Sequence, residues 1–224
     1  MCTLLVVRHG QASFGTDNYD VLSPLGIKQS RSLGAWLAKR NISLDAIWAG
    51  PQQRQRDTAR HLVEAAADEG VKLPEPEILE DLREVPSSLI YQRILPQLES
   101  RWHGDECPRP GSAASRVLMK AWANGQADIG DIESFTAFDE RIRRVFKRII
   151  DQAAPDQRIA VVTSAGPLAV AVRQALSLGA TQSMDINFAA ANSGVTEFRL
   201  RRQELEIVSF NSVGHLDQED VTHI

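Results

Sequence analysis

Apolar runs and amphipathic stretches alternate along most of the chain, as strands and helices do when they follow one another. Residues 3–7 form a compact run of β-branched residues and leucines, which is typical of a strand buried on both faces. Ser23 and Pro24 predict a helix start, with the serine as N-cap and the proline as the first helical residue. Further along, the pattern predicts strands at 44–49 and 158–163, a short extended stretch at 76–79, and helices that begin at Pro51 and Gly166-Pro167.

The second half of the chain continues the alternation and then changes character. A long helix is predicted because apolar residues recur at helical spacing at Phe138, Ile142, Val145, Phe146 and Ile149. The runs 194–200 and 204–210, joined by 201–203, predict a β-hairpin. Strand–helix alternation implies right-handed βαβ units. We therefore expect an α/β fold, a three-layer α/β/α arrangement with a mostly parallel sheet and an antiparallel edge strand.

The segment 86–132 has weaker signals than the rest of the chain. Prolines and glycines interrupt it at positions 86, 96, 104, 108, 110, 111, 125 and 130. We expect short helices and loops that lie over the core as a cap-like insertion, within a single domain that spans 1–224. Trp102 and Trp122 are candidates for lining a pocket beneath this insertion.

Composition limits the classes of protein to consider. The chain has 224 residues, 43% of them apolar, which is enough for the core of one α/β domain. The net charge is −4, so nothing indicates a nucleic-acid partner. Cys2 and Cys107 are isolated thiols, which indicates a reducing compartment. The N-terminal apolar run is too short for a signal peptide or a membrane span. We expect a cytoplasmic protein with no membrane partner, and the oligomeric state stays open.

Charged and small residues follow each predicted parallel strand, where open α/β sheets bind their ligands. Arg8, His9 and Gly10 end the first strand, and Arg54 lies in the first turn of the helix after the second. Two guanidinium groups and a helix N-terminus at one rim make an anion site, because guanidinium forks and free N–H groups bind phosphate oxygens. The remaining candidates follow the short extended stretch at 76–79 and the strand at 158–163: Glu80, Asp81, Glu84, Ser164, Ala165 and Gly166.

Several of these stretches resemble the histidine phosphatase superfamily, which includes cofactor-dependent phosphoglycerate mutases and fructose-bisphosphatase-type enzymes. "RHGQASFG" resembles the family's Arg-His-Gly signature, and "YDVLSPLGIKQSRSLGAWL" resembles its next helix. "GPQQRQRDTA" is similar to the family's Ser-Pro-x-x-Arg helix, and "LREV" to the stretch that carries its general acid. "NSGVTEF" and "NSVGHL" are similar to late family elements. The resemblance covers most of the chain outside 86–132.

The resemblance implies a mechanism with a covalent phosphohistidine. It places the nucleophile on His9, the phosphate-binding arginines on Arg8 and Arg54, and the general acid on Glu84. The arginines would neutralise the phosphoryl oxygens, while Glu84 would protonate the leaving oxygen and then activate a water molecule. Glu84 is favoured over the two neighbouring carboxylates by the family match alone. The implied ligand is a small phosphorylated substrate or a phosphate ion, with no metal ion or other cofactor.

One position departs from the family's pattern. The family carries a second histidine after the late strand, where this chain has Ala165 in "VVTSAGPLA". Losing one such donor typically costs about 2.7–4 kcal/mol, a factor of about 10²–10³ in rate. Four explanations stay open. In the first, Thr163, Ser164 and the N–H groups of Ala165 and Gly166 hold the same oxygens. In the second, the protein binds phosphate esters with little turnover, and in the third the histidine was deliberately replaced. In the fourth, His215 substitutes for the missing histidine rather than being a structural histidine.

We therefore expect a phosphomonoester hydrolase that works through phospho-His9 and is weakened by the missing histidine. The alternatives are a non-catalytic phosphate-ester binding protein and, less favoured, a phosphoglycerate mutase-type phosphotransferase, whose substrate-binding insertion has no match here. Gln11 and Asn192 complete the candidate residues, and Asn192 either ties down the site through its amide or caps the hairpin. The polar loop 15–20 lies either at the rim of the site or on the plain surface. Substrate specificity is expected within 86–132.

Overall fold

A mixed β-sheet forms the centre of the molecule. The computed structural model describes residues 2–13, 19–98, 113–201 and 204–223. The strands in these ranges are β1 (Thr3–Arg8), β2 (Ala46–Ala49), β3 (Pro76–Ile78), β4 (Arg158–Thr163), β5 (Val195–Arg201) and β6 (Glu204–Ser212). They lie in the order β3-β2-β4-β1-β5-β6, with the first four parallel, β5 antiparallel to β1 and β6 antiparallel to β5. The predicted α/β fold with a mostly parallel sheet is confirmed.

Helices cover both faces of this sheet. Those described are α1 (Pro24–Lys39), α2 (Gln53–Asp68), α3 (Ser87–Leu98), α4 (Ala113–Ala123), α5 (Phe135–Gln152), α6 (Ala165–Leu176) and α7 (Ala180–Ala189). On one face, α1 and α2 bury Leu33, Leu37 and Leu62 against Leu5 and Val7 of β1. The larger core lies on the other face, where α3 to α7 pack on the alternate residues of β1. The result is the three-layer arrangement that the alternation predicts.

Helix starts follow the local sequence where a cap is present. α1 begins at Pro24, and the Ser23 hydroxyl accepts the Gly26 N–H at 3.0 Å, as predicted. α2 begins at Gln53 rather than at Pro51. The sequence does not predict α7, because its larger apolar residues alternate instead of recurring at helical spacing: Met184, Ile186 and Phe188.

The described parts of the segment 86–132 contribute to the larger core. Ile90, Ile94 and Leu118 are fully buried on α3 and α4. Pro96 lies inside α3, so it does not break the segment as the sequence suggests. Trp102 and Cys107 lie outside the described residues. Among the residues that are described, no helix combines the length and apolar character needed to cross a membrane.

Trp122 belongs to the core rather than to a pocket wall. It is 2% exposed, and its ring meets the Phe135 ring edge-on at 5.2 Å. Its indole N–H donates to the Glu133 carbonyl at 3.0 Å, so the polar end of the side chain is also satisfied. The expectation that Trp122 lines a pocket is wrong, because the tryptophan faces the packed side of α4.

Replacing Trp122 by alanine tests this assignment. We expect Trp122→Ala to lower the free energy of unfolding by about 3–5 kcal/mol, because it removes a large buried side chain and leaves a cavity. Urea unfolding measures the loss. Val117→Ala is the matched control on the same helix, since Val117 is 42% exposed and should change stability by less than about 0.5 kcal/mol. Equal effects of the two substitutions would contradict the core assignment.

Candidate active site

The carboxyl ends of β1, β2 and β4 meet at one rim of the sheet, because β4 pairs with both of the other strands. The His9 N–H donates to the Thr163 carbonyl at 2.8 Å and continues the pairing of β1 with β4. On the other side of β4, the Gly50 N–H donates to the Val162 carbonyl at 3.0 Å. Residues from three distant parts of the chain are thereby brought together at this rim.

His9 is buried at the rim in a defined tautomer. Its Nδ1 lies 2.7 Å from the Gly10 carbonyl oxygen, and because a carbonyl only accepts, Nδ1 carries the proton. The other nitrogen, Nε2, is then the acceptor, and it receives the Arg54 Nε–H at 3.1 Å. Burial, followed by the charges of Arg54 and Arg8, holds the pKa of His9 well below its usual range. The imidazole is therefore neutral, with its lone pair on Nε2.

Arg54 reaches His9 from the first turn of α2, as the sequence predicts. Its side chain is 7% exposed, and its Nη1 pairs with the Asp20 carboxylate at 2.5 Å. The Tyr19 ring centre lies 5.4 Å from the guanidinium carbon. The described part of the polar loop 15–20 therefore lies at the rim of the site rather than on the plain surface.

Gly10 is required by helix packing next to the site. A Cβ at this position would lie 2.4 Å from the Gly26 carbonyl oxygen of α1. The Gly10 N–H donates at 3.0 Å to the Thr58 hydroxyl of α2, and that hydroxyl donates to the Arg54 carbonyl at 2.7 Å. The loop after β1 is thus held between the two helices on this face.

Arg8 is anchored by backbone oxygens from late in the chain. Its Nη1 donates to the carbonyls of Ala190 at 2.6 Å and His223 at 3.1 Å. Among the described residues its buried Nε has no hydrogen-bond partner. Burial lowers the pKa of Arg8 to about 10, while the charge of Glu84 acts in the opposite direction. The group is a buried cation with an unused donor, which suits an anion ligand.

Glu84 places its carboxyl group at the start of α6. Its Oε2 accepts the Gly166 N–H at 2.8 Å, and its Oε1 accepts the Val85 N–H at 2.9 Å. A Cβ on Gly166 would lie 2.2 Å from Oε1, so only glycine allows this approach. Burial raises the pKa of Glu84, although the two N–H groups and the nearby arginines oppose the rise. Glu80 and Asp81 are exposed.

The turn around Ala165 is occupied by contacts within the protein. The Ser164 hydroxyl accepts the Gln55 side-chain N–H at 2.8 Å and is 1% exposed. The Gly166 N–H is bonded to Glu84, as described above. Ala165 is buried as the first residue of α6 and packs in the larger core. Of the donors expected for a phosphate, the Gly166 N–H is therefore taken by Glu84, whereas the bond from Gln55 uses Ser164 only as an acceptor.

Gln11 and Asn192 support the backbone of the site. The Gln11 amide oxygen accepts the Ser23 hydroxyl at 2.8 Å, so this side chain braces the start of α1. Asn192 is fully buried, donates to the His9 carbonyl at 3.3 Å and accepts the Thr222 hydroxyl at 2.9 Å. Of the two alternatives for Asn192, its contacts match the one in which its amide ties down the site.

His215 packs on the α1 side of the sheet. Its ring meets the Trp36 ring edge-on at 6.4 Å, and its Nε2 lies 3.1 Å from the Ser193 hydroxyl. It lines a cavity of about 150 Å³ together with Leu5 and Val7. Among the described residues, none of its contacts is with the arginines or carboxylate at the rim. These are the contacts of a structural histidine rather than of a substitute for the missing one.

Two glutamine side chains that were not among the predicted site residues connect the parts of the site. The Gln55 side-chain oxygen accepts the Gln52 backbone N–H at 3.1 Å, and the Gln52 side-chain oxygen accepts the Glu84 backbone N–H at 2.8 Å. Both glutamines stand in the stretch "GPQQRQRDTA", but an amide at a helix start has no signature that distinguishes it from a surface residue. Across the described ranges, no cluster of three His, Cys, Asp or Glu side chains could hold a metal ion.

Comparison with known families is consistent with this geometry. A family model described as the histidine phosphatase superfamily (branch 1) matches residues 4–213. That match includes every rim residue described above and extends through β6. No curated protein sequence matches the chain significantly.

Solved structures share the fold at low sequence identity. A phosphoserine phosphatase mutant from Entamoeba histolytica in complex with phosphoserine matches with a TM-score of 0.65 and 20% identity, covering 96% of this chain and 100% of that one. A putative alpha-ribazole-5'-P phosphatase from Escherichia coli has a TM-score of 0.65 and 21% identity, with coverages of 95% and 98%. A mycobacterial glucosyl-3-phosphoglycerate phosphatase with inorganic phosphate has a TM-score of 0.64 and 19% identity, with coverages of 96% and 99%.

The burial of His215 predicts a pH dependence of stability. Burial lowers its pKa to about 4 from an ordinary 6.5. As the pH falls through this window, the unfolded chain binds a proton that the folded chain does not, so stability is lost. We expect His215→Gln to reduce the loss between pH 7 and pH 4.5 by roughly 2–3 kcal/mol, as measured by urea unfolding. The wild-type protein and the variant share all other titrating groups. A pH dependence of stability that is the same in both would contradict the lowered pKa of His215.

Proposed function

The chain belongs to the histidine phosphatase superfamily, and from this premise we propose that it is a phosphomonoester hydrolase with His9 as its nucleophile. The observation that carries the proposal is the state of the imidazole, which is buried and neutral with its lone pair on Nε2. A neutral nitrogen is the form that attacks phosphorus, and Arg54 lies against that same atom.

The proposed reaction has two steps. In the first, Nε2 of His9 attacks the phosphorus, the bond to the ester oxygen breaks, and Glu84 gives its proton to that oxygen. In the second, Glu84 takes a proton from water, the water oxygen attacks the phosphorus and the N–P bond breaks. Inorganic phosphate leaves, and neutral His9 is restored.

The charges around the imidazole support these roles. Arg8 and Arg54 are buried cations, and they would hold the phosphoryl oxygens while their charge develops. The raised pKa of Glu84 suits a group that must donate a proton near neutral pH. We propose small phosphomonoesters as the substrate class. The family supports this choice, as do the phosphoserine and the inorganic phosphate named for two of the similar structures.

A phosphate-ester binding protein without turnover is the second candidate. It is favoured by Ala165, which leaves this position without a charged donor, and by the engagement of the Gly166 N–H with Glu84. The neutral imidazole of His9 and the raised pKa of Glu84 support the hydrolase instead, because binding alone needs neither a nucleophile nor a proton donor. The hydrolase is therefore our first choice, with a rate reduced by the absence of the second histidine.

Removing the proposed nucleophile tests the function. We expect the wild-type protein to release phosphate from 4-nitrophenyl phosphate and to form an acid-labile phosphoprotein, and His9→Ala to abolish both. His61→Ala is the control, because His61 pairs with Glu64 on α2 at 2.9 Å, away from the rim. A wild-type protein that binds phosphate but shows neither turnover nor phosphoprotein would favour the binding protein. Transfer of the phosphoryl group to an alcohol instead of water would favour the phosphotransferase.

The role of Glu84 predicts a change in the rate-limiting step. With 4-nitrophenyl phosphate, whose leaving group needs no proton, we expect Glu84→Gln to give a burst of nitrophenolate and then stall as the phosphohistidine accumulates. With an alkyl phosphate, we expect the first step itself to slow by about 10²–10⁴-fold. Glu80→Gln is the matched control on the same loop, since Glu80 is exposed. An unchanged steady-state rate with both substrates would rule out this role for Glu84.

A further inference from the structure

Tyr19 and Asp20 contact the proposed phosphate-binding arginine from a segment to which the function so far assigns no role. The Asp20 carboxylate makes two hydrogen bonds to the start of α2. Its Oδ2 accepts the Gln53 N–H at 2.9 Å, and its Oδ1 accepts from Arg54 Nη1 at 2.5 Å. The Tyr19 ring covers the guanidinium at 5.4 Å. One carboxylate thus joins the backbone that carries Arg54 to the end of its side chain.

The geometry of a guanidinium group decides what this contact leaves available. Nε and Nη2 form the side-on fork, whereas Nη1 lies on the opposite edge, next to the side-chain carbon. In this site Nε points to His9 Nε2 at 3.1 Å, and Asp20 holds Nη1. A phosphoryl group that enters between His9 and this fork would replace the Nε hydrogen bond to His9, whereas Asp20 would keep its bond to Nη1.

We propose that Asp20 is a positioning residue that holds the Arg54 fork toward the phosphoryl group. The inference rests on the proposed function, since it assigns a role within the same site. A free arginine side chain loses considerable rotamer entropy when it binds an anion, and a side chain already held in place loses less. Asp20 supplies this constraint from the loop that precedes α1.

The charge of Asp20 has an effect on phosphate binding opposite to that of positioning, so an experiment can distinguish the two. The negative charge of Asp20 repels a phosphate, so removing it would tighten binding if the charge were all that mattered. The Asp20 side chain is 40% exposed, so solvent screens this repulsion, whereas that of Arg54 is only 7% exposed. Positioning outweighs repulsion, and loss of Asp20 weakens phosphate binding.

The test is a double-mutant cycle on the binding of inorganic phosphate, measured by isothermal titration calorimetry. We expect Asp20→Ala to raise Kd on the order of tenfold, and to have no further effect in an Arg54→Ala background. Asp57→Ala is the matched control, because Asp57 pairs with Arg60 on α2 at 3.2 Å and should leave Kd unchanged. Asp20→Asn keeps one acceptor oxygen and should give an intermediate Kd, so it replaces Asp20→Ala in the cycle if the alanine variant does not fold.

Several outcomes would overturn the proposal. If Asp20→Ala binds phosphate as well as or more tightly than the wild-type protein, Asp20 has only a neutral or repulsive role. If Asp20→Ala weakens phosphate binding equally with and without Arg54, the role of Asp20 is purely structural. Absence of phosphate binding by the wild-type protein would also overturn it. The calorimetric measurement needs no turnover. A wild-type protein that binds phosphate but does not hydrolyse esters would therefore contradict the hydrolase proposal, and the effect of Asp20 on phosphate binding could still be measured.

Discussion

Two buried guanidinium groups beside one imidazole are the constraint on which the rest of the site depends. Arg8 and Arg54 are both buried. Buried charges are unfavourable unless they are paired or hydrogen-bonded, and two like charges near each other add to that cost. The lowered pKa of Arg8 reflects this burial. Much of the surrounding structure can be understood as compensation for these cations.

The compensation comes from different sources for the two arginines. Arg8 is held by backbone carbonyls of Ala190 and His223, whereas Arg54 is held by the carboxylate of Asp20. Carbonyls leave the net positive charge of Arg8 in place, while Asp20 neutralises part of the charge of Arg54. Burial lowers the pKa of His9 first, and the charges of Arg54 and Arg8 lower it further, so the imidazole stays neutral. The cations of the proposed anion clamp thus also favour the nucleophilic form of His9.

Buried amide side chains connect the segments that form the rim around these cations. Gln29 accepts the Gln11 N–H at 2.8 Å and donates to the Asp220 carbonyl at 2.7 Å and to the Thr222 hydroxyl at 3.0 Å. Gln55 connects the start of α2 to Ser164 at the start of α6. Neutral amides can satisfy several backbone groups without adding charge to a site that already holds two cations. They therefore suit the second layer around the proposed phosphate pocket.

Local sequence determined the elements and the chemistry at their ends. Periodicity identified β1, β4 and the buried face of α5, and the Ser23-Pro24 cap located the start of α1, because these signals depend on neighbours a few residues away. The position of Arg8 and His9 at a strand end, with Arg54 in a helix start, predicted which residues meet at the rim.

Tertiary structure alone decided the rest: the burial of Trp122, the face on which His215 packs, the carbonyl of His223 on Arg8 and the carboxylate of Asp20 on Arg54. These contacts join residues far apart in the chain. The partner of a polar side chain depends on which backbone is packed beside it, and no local pattern records that.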